Sequence, residues 1–201
     1  MNEEYARREL TDLCKRLYDR KLTASAGGNM SIRLNKTQFL ITPSGRNKGS
    51  LLPDDMIKMD LKGNVLSEGR PSIEHGFHIA MYKGDQETNA VVHCHPLNCT
   101  ALAVMGENIK CGLTPEGVIL LGDVPMVPYF TPGSKELVKA VTAFSSHKAM
   151  LMERHGALTC GRTAEEAFNR MEELEFQAKL QLLVGDAADL PASEIEILRK
   201  M

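Results

Sequence analysis

The sequence predicts an α+β fold: a single domain, residues 1–201, in which a mostly antiparallel central β-sheet is covered by helices. Short strand-like runs alternate irregularly with amphipathic helical segments, two of the runs are joined directly by Asn35-Lys36, and no strand-helix-strand unit repeats. A parallel sheet needs those repeated crossovers, so hairpin pairing is the expectation. With 201 residues, 43% hydrophobic and 25% charged, the chain has the apolar content of one sizeable core.

Leu10, Leu13, Cys14 and Leu17 mark the apolar face of a first helix. Met30 to Leu34 and Gln38 to Thr42 read as the two strands of a hairpin, and Met56 to Asp60 as a strand closed by the Lys62-Gly63-Asn64 turn. Ser72 is placed to cap a helix running to about Tyr82, which sets Glu74 in its first turn. Ala90 to His93 reads as a strand, Pro96 suits the first turn of a helix to about Met105, and Val124 to Pro128 is extended. Ser134 caps a helix predicted through His147, and the strand Ala149 to Met152 leads to His155. Thr163-Ala164-Glu165-Glu166 is a capping box opening a long helix with Ala167, Met171, Leu174 and Ala178 on one face. Ser193 to Glu196 starts a short final helix.

Composition narrows the partners. A formal net charge of −2 and no basic run give no footing for nucleic acid or a membrane surface, so a small molecule is the expected partner. The first ten residues are charged, and no segment approaches the ~18 apolar residues of a spanning helix, which predicts a cytoplasmic protein. Cys14, Cys94, Cys99, Cys111 and Cys160 are odd in number with no C-x-x-C pair, the pattern of reduced thiols.

Three histidines carry the chemistry. His93 and His95 lie two apart at the end of the apolar run Ala90-Val91-Val92, and residues so spaced in a strand project to one face. His155 follows a second apolar run, Ala149 to Met152, and precedes Gly156. Three imidazoles with a carboxylate, Glu74, make up the donor set of a catalytic zinc site. A single histidine is more often a packed or surface residue, and His75 and His147 read as helix-surface positions. His78 lies one turn beyond Glu74 and reads as a supporting partner or a structural residue; Cys94 alternates to the opposite face from its neighbours. Glycine and hydroxyl loops form a second constellation: Gly28-Asn29, Ser44-Gly45 and Ser72 offer the close N–H and O–H donors that a phosphate needs.

Five motifs in order, Ala26 to Ser31, Ile41 to Gly45, Pro71 to Glu74, His93-Cys94-His95 and Glu153 to Gly156, resemble the class II aldolase and adducin head family, nearest its L-fuculose-phosphate aldolase branch. The resemblance implies the same α+β architecture and one Zn2+ per chain held by Glu74, His93, His95 and His155. It also implies a substrate phosphate held at Gly28, Asn29, Ser44, Gly45 and Ser72, and a homotetramer with the site at a subunit interface. The activity it implies is cleavage of a ketose 1-phosphate to dihydroxyacetone phosphate and an aldehyde, with Glu74 leaving the metal to act as general base and acid. That branch places a tyrosine from a neighbouring subunit in the site, where this chain has Thr114. The Cys111 to Leu121 segment, with its exposed-looking run Val118 to Leu121, is the candidate cover, and its Glu116 the candidate proton donor. A pentulose-phosphate 4-epimerase of the same superfamily is disfavoured by Ser72-Ile73-Glu74, a sugar-acid phosphate decarboxylase keeps the glutamate, and a non-catalytic adducin-like module has no need of the three histidines.

Overall fold

The structure, a computed structural model, describes residues 2–201. Helix α1 (Glu3–Asp19) leads into β1 (Asn29–Arg33), β2 (Gln38–Ile41) and β3 (Ile57–Asp60), followed by α2 (His75–Gly84), β4 (Ala90–Cys94) and α3 (Leu97–Met105). Then come β5 (Met126–Val127), α4 (Lys135–Ala143), β6 (Ala149–Met152), β7 (Gly156–Gly161), α5 (Ala164–Val184) and α6 (Ala192–Leu198). The strands make one sheet in the order β3-β2-β1-β4-β7-β6-β5. All pairings are antiparallel except that of β5 with β6, so the sheet is mixed at that edge. No helix among the described residues is long and apolar enough to cross a membrane.

The pleat divides the core in two. Ala90, Val92 and Cys94 of β4 face the layer of α1, α3 and α5, packing with Leu10, Leu13, Leu102, Met171 and Leu174. Val91 faces the layer of α2 and α4, with Phe77, Met81, Leu137 and Val141. Cys94 therefore does point away from its histidine neighbours, as the period of two requires. β4 is buried along its whole length and pairs with β1 on one side and β7 on the other. Its C-terminal end thus has neighbouring backbone on both flanks, a rigid base on which to place side chains.

Several sequence expectations shift. β7 was not assigned from the sequence: Gly156-Ala157-Leu158-Thr159-Cys160-Gly161 has small residues and a glycine at each end, yet it forms a strand with every residue buried. The glycines answer crowding, since a Cβ at Gly161 would stand 2.7 Å from the Ala167 nitrogen and one at Gly156 would stand 2.5 Å from the Cys94 oxygen. α4 stops at Ala143, short of His147, where the Ser145 hydroxyl donates back to the Thr142 carbonyl at 2.9 Å and competes with continued helix. Pro96 precedes the first turn of α3 as its cap residue, and Thr163 accepts from Glu166 N–H while the Glu166 carboxylate turns back to Arg162 N–H. The 118–121 run is not open. Gly117–Leu121 forms a single π-helical turn that buries Val118 and Leu121 against α5, with Ile119 and Leu120 half-buried.

Candidate metal centre

Four segments deliver the polar groups to one point. His93 is the fourth residue of β4, and its side chain is fully buried at the edge of the Phe77 ring, 5.4 Å between centroids. His95 follows the strand end. His155 sits in the tight β6–β7 turn, where Arg154 adopts a left-handed φ of 52° and the His155 N–H closes back on the Met152 carbonyl. Glu74 is the residue before α2 rather than a member of its first turn: its own N–H points to the Ser72 hydroxyl at 3.3 Å, and the helix starts at His75. A carboxylate at that helix end also lies in the favourable direction of the dipole.

The imidazole nitrogens of His93, His95 and His155 lie within 4.8 Å of one another. His93 Nε2 stands 3.1 Å from His95 Nε2 and 3.5 Å from Glu74 Oε2, and His155 Nε2 stands 3.4 Å from Glu74 Oε1. His93 Nδ1 faces the Ala157 carbonyl at 2.9 Å, so it carries the proton and Nε2 is left with a bare lone pair aimed into the cluster. Glycines permit this approach. A Cβ on Gly156 would lie 2.6 Å from His95 Cδ2, and one on Gly27 would lie 3.0 Å from His95 Nδ1.

Electrostatics fit a cation. Burial pushes the His93 pKa well below the ordinary histidine value, aided by His95 and His155. Burial and then His95 bring His155 down to about 4, and burial with the charge of Lys48 lowers His95. All three imidazoles are therefore neutral, the form that binds metal. Burial raises the Glu74 pKa, opposed by a hydrogen bond from Asn29. Glu74 Oε1 and His155 Nδ1 are buried without a hydrogen-bond partner among the described residues. A buried carboxylate facing neutral imidazoles has no counter-charge, and a divalent cation supplies one. The donor set of three nitrogens and a carboxylate suits zinc.

Behind Glu74 runs a buried polar chain. Asn29 Nδ2 donates to Glu74 Oε2 at 2.8 Å, His78 Nε2 faces Asn29 Oδ1 at 2.5 Å, and Ser31 Oγ lies 2.7 Å from both His78 Nδ1 and the Tyr82 hydroxyl. His78 is thus neither a ligand nor on the surface but fully buried behind Asn29.

The loop residues converge less tightly. Gly28 has a φ of +69°, and a Cβ there would strike the His93 carbonyl at 2.5 Å, so only glycine brings this backbone under the histidine strand. Asn29 and Ser72 are buried, while Ser44 and Gly45 form an exposed turn beside residue 70, with the Ser44 N–H on the Arg70 carbonyl at 2.9 Å. Lys48 escaped the sequence reading. Its amine is buried, 2% exposed, and donates to the Ala26 carbonyl at 2.9 Å and the Arg46 carbonyl at 2.8 Å, tying the two glycine loops together. A lone lysine in a polar loop gave no signal of this. Thr114 is engaged by Gln177 Nε2 at 2.6 Å, and Glu116 is exposed. No hydrogen bond or ion pair among the described residues joins Glu116 to Glu74 or the imidazoles.

The sequence profile of the family described as Class II Aldolase and Adducin N-terminal domain matches residues 8–182. The 3-oxo-tetronate 4-phosphate decarboxylase of Escherichia coli (strain K12) is 36% identical over 204 residues, covering 98% of this chain and 96% of that one. The L-fuculose phosphate aldolase of Methanocaldococcus jannaschii is 36% identical over 177 residues, covering 88% of this chain and 96% of that one. Among solved structures, YgbL from Escherichia coli superposes with a TM-score of 0.93 at 35% identity, covering 98% of this chain and 99% of that one. An L-fuculose 1-phosphate aldolase superposes with a TM-score of 0.91 at 30% identity, covering 98% of this chain and 95% of that one.

Proposed function

The chain belongs to the class II aldolase and adducin family, and from that membership and its buried donor cluster we propose that it is a metal-dependent carbon–carbon lyase acting on a phosphorylated sugar or sugar acid. His93, His95, His155 and, in the resting enzyme, Glu74 would hold one Zn2+ or a similar divalent ion. When bound, that ion supplies Lewis-acid stabilisation of the negative charge left on the substrate by bond cleavage.

The reading favoured is aldol cleavage of a ketose 1-phosphate such as L-fuculose 1-phosphate. Glu74 Oε1 accepts the proton of the hydroxyl on the fourth carbon, and the bond between the third and fourth carbons breaks. An aldehyde leaves, and the electron pair remains as the enediolate of dihydroxyacetone phosphate. The same carboxyl then returns its proton to the third carbon. The observation carrying this reading is the place of Glu74: burial raises its pKa against the opposing Asn29 N–H on Oε2, while Oε1 has no hydrogen-bond partner among the described residues and lies 3.4 Å from His155 Nε2, free to exchange a proton beside the cluster. The donors of Gly28, Asn29, Ser44, Gly45 and Ser72 would hold the phosphate, with Lys48 keeping their loops in place.

A second reading is decarboxylation of a 3-oxo sugar-acid phosphate. It is supported by the match to the decarboxylase over 98% of this chain and by Thr114 in place of the tyrosine implied by the aldolase resemblance. Loss of CO2 from a 3-oxo-tetronate 4-phosphate leaves the same enediolate, so the two reactions share the site and differ in what departs. We also infer a homotetramer, in which the exposed Glu116 of one subunit reaches a neighbour's site. Incubation with ketose 1-phosphates and with 3-oxo sugar-acid phosphates, reading aldehyde and CO2 in parallel, tests the assignment. Aldehyde without CO2 supports the aldolase; CO2 alone replaces it with the decarboxylase; neither product, with metal bound, contradicts the lyase reading.

A further inference from the structure

The chain Glu74–Asn29–His78–Ser31–Tyr82 crosses the inner face of the sheet without reaching solvent. Ser31 and His78 are fully buried, and Tyr82 and Asn29 are only 1% and 3% exposed. Burying four polar side chains behind a carboxylate is costly unless all are partnered, and apolar residues of similar shape would pack the space as well. Polarity is therefore what this arrangement provides.

Its direction follows from the Asn29 amide. Asn29 turns its amide nitrogen toward Glu74 Oε2 at 2.8 Å, so that this oxygen accepts. The Asn29 carbonyl then faces His78 Nε2 at 2.5 Å, which must carry a hydrogen. Burial leaves His78 neutral, so it has one N–H, and Nδ1 must accept. The Ser31 hydroxyl satisfies it at 2.7 Å, and Ser31 Oγ in turn accepts from the Tyr82 hydroxyl at 2.7 Å. The Tyr82 hydroxyl ends the chain. Phe77 stacks on the His78 ring with centroids 4.9 Å apart, which fixes the plane of the imidazole.

Resting on the reading of Glu74 as the proton-transfer group, we propose that His78, backed by Ser31 and Tyr82, is a positioning residue: it locks Asn29 with its N–H on Glu74 Oε2 and leaves Oε1 alone to exchange the proton. Without the lock the Asn29 amide could rotate, present its carbonyl to Glu74 and repel the carboxylate. The chain run in reverse is equally complete, but it requires Nδ1–H on His78 and a proton held on Oε2. The two directions are thus distinguished by the tautomer of one imidazole.

The experiment has two arms. Imidazole 15N NMR on the metal-loaded protein reads the tautomer, assigned by loss of the signal in His78→Phe; Nε2–H is expected, and Nδ1–H overturns the proposal. Kinetics then compare His78→Phe, which keeps the ring and its stacking, with His78→Gln, whose amide nitrogen can replace Nε2. In the Phe variant kcat should fall roughly 10- to 100-fold, with KM and bound metal close to wild type, and Gln should recover most of the loss. An unchanged kcat in the Phe variant, or equal losses in both variants accompanied by loss of metal, overturns it. Should the Phe variant not fold, Ser31→Ala serves instead, with a several-fold fall in kcat at constant metal content expected and no fall overturning the proposal. An unimpaired Glu74→Gln enzyme would instead remove the reading of Glu74, while the tautomer measurement still decides the direction of the chain.

Discussion

Two regions of the molecule are built in different ways. The donor cluster at the end of β4 is built from buried side chains on strands and tight turns: His93 is hydrogen-bonded to the Ala157 carbonyl and Glu74 to Asn29. The Cys111 to Leu121 segment has a short 3-10 turn and a π turn packed on α5, and it leaves Glu116 in solvent. On the proposed reading, metal binding and the proton transfer through Glu74 use groups of one protomer, and the exposed Glu116 is left for a neighbour's site. On that reading the shared chemistry is placed on the rigid element and the choice of substrate on the exposed one.

The strongest way to break this contrast is to remove a donor. His95→Ala should abolish both bound metal and activity, measured by metal analysis and turnover, while Cys94→Ala, whose side chain packs on the opposite face among Leu10 and Leu13, should keep full metal content. Retained metal in the histidine variant would place the ion elsewhere. Gly156→Ala tests the same rigidity without touching a donor: its Cβ would meet His95 Cδ2 at 2.6 Å and the Cys94 carbonyl at 2.5 Å, so metal affinity should drop by roughly 10-fold or more.

Next in size is the proton. Glu74→Gln preserves shape and the contact with Asn29, and turnover should fall about 100-fold or more while substrate binding changes little. Equal turnover would pass the role to another group. The pH response of the metal-free protein follows from its imidazoles. Their folded pKa values are depressed, to about 4 for His155 and well below 6.5 for His93, so the unfolded chain takes up protons first as pH falls. Stability is fully present above 6.5 and is lost as pH drops from there toward about 4, by up to ~1.4 kcal/mol per pH unit for each histidine. Denaturant titration across that range checks it, and a flat response contradicts neutral burial of the cluster.

The smallest expected effect concerns the exposed region. Glu116→Gln should leave metal content and stability at wild-type levels, and if the residue acts in a neighbour's site, mixing it with Glu74→Gln subunits should regain part of the activity lost by each. Failure of the mixture to recover would leave the cover to some residue other than Glu116.

The same contrast explains what the sequence revealed. His93, His95 and Cys94 were legible because a period of two decides their faces, and the hairpin of β1 and β2 because its turn is local. β7 was hidden, since Gly156 answers crowding by the end of β4, far away in the sequence, and Gly161 answers crowding by the first turn of α5. The polar chain through His78 was legible only as a partner one turn from Glu74; that it runs through Asn29 depends on the pairing of β1 with β4. Lys48 depends on two loops meeting. The openness expected of 118–121 failed because a π turn rotates Val118 and Leu121 onto α5.

The most direct test of the central claim uses the step common to both proposed reactions. Dihydroxyacetone phosphate incubated with the metal-loaded enzyme in deuterated water, with no aldehyde present, should exchange one hydrogen of its hydroxymethyl carbon, as Glu74 Oε1 takes it to form the enediolate and returns a solvent-derived deuteron. NMR should show single, stereospecific deuteration that disappears on chelation and in the Glu74→Gln variant. No exchange by an enzyme that carries its metal, or exchange that persists undiminished without Glu74, would contradict the account.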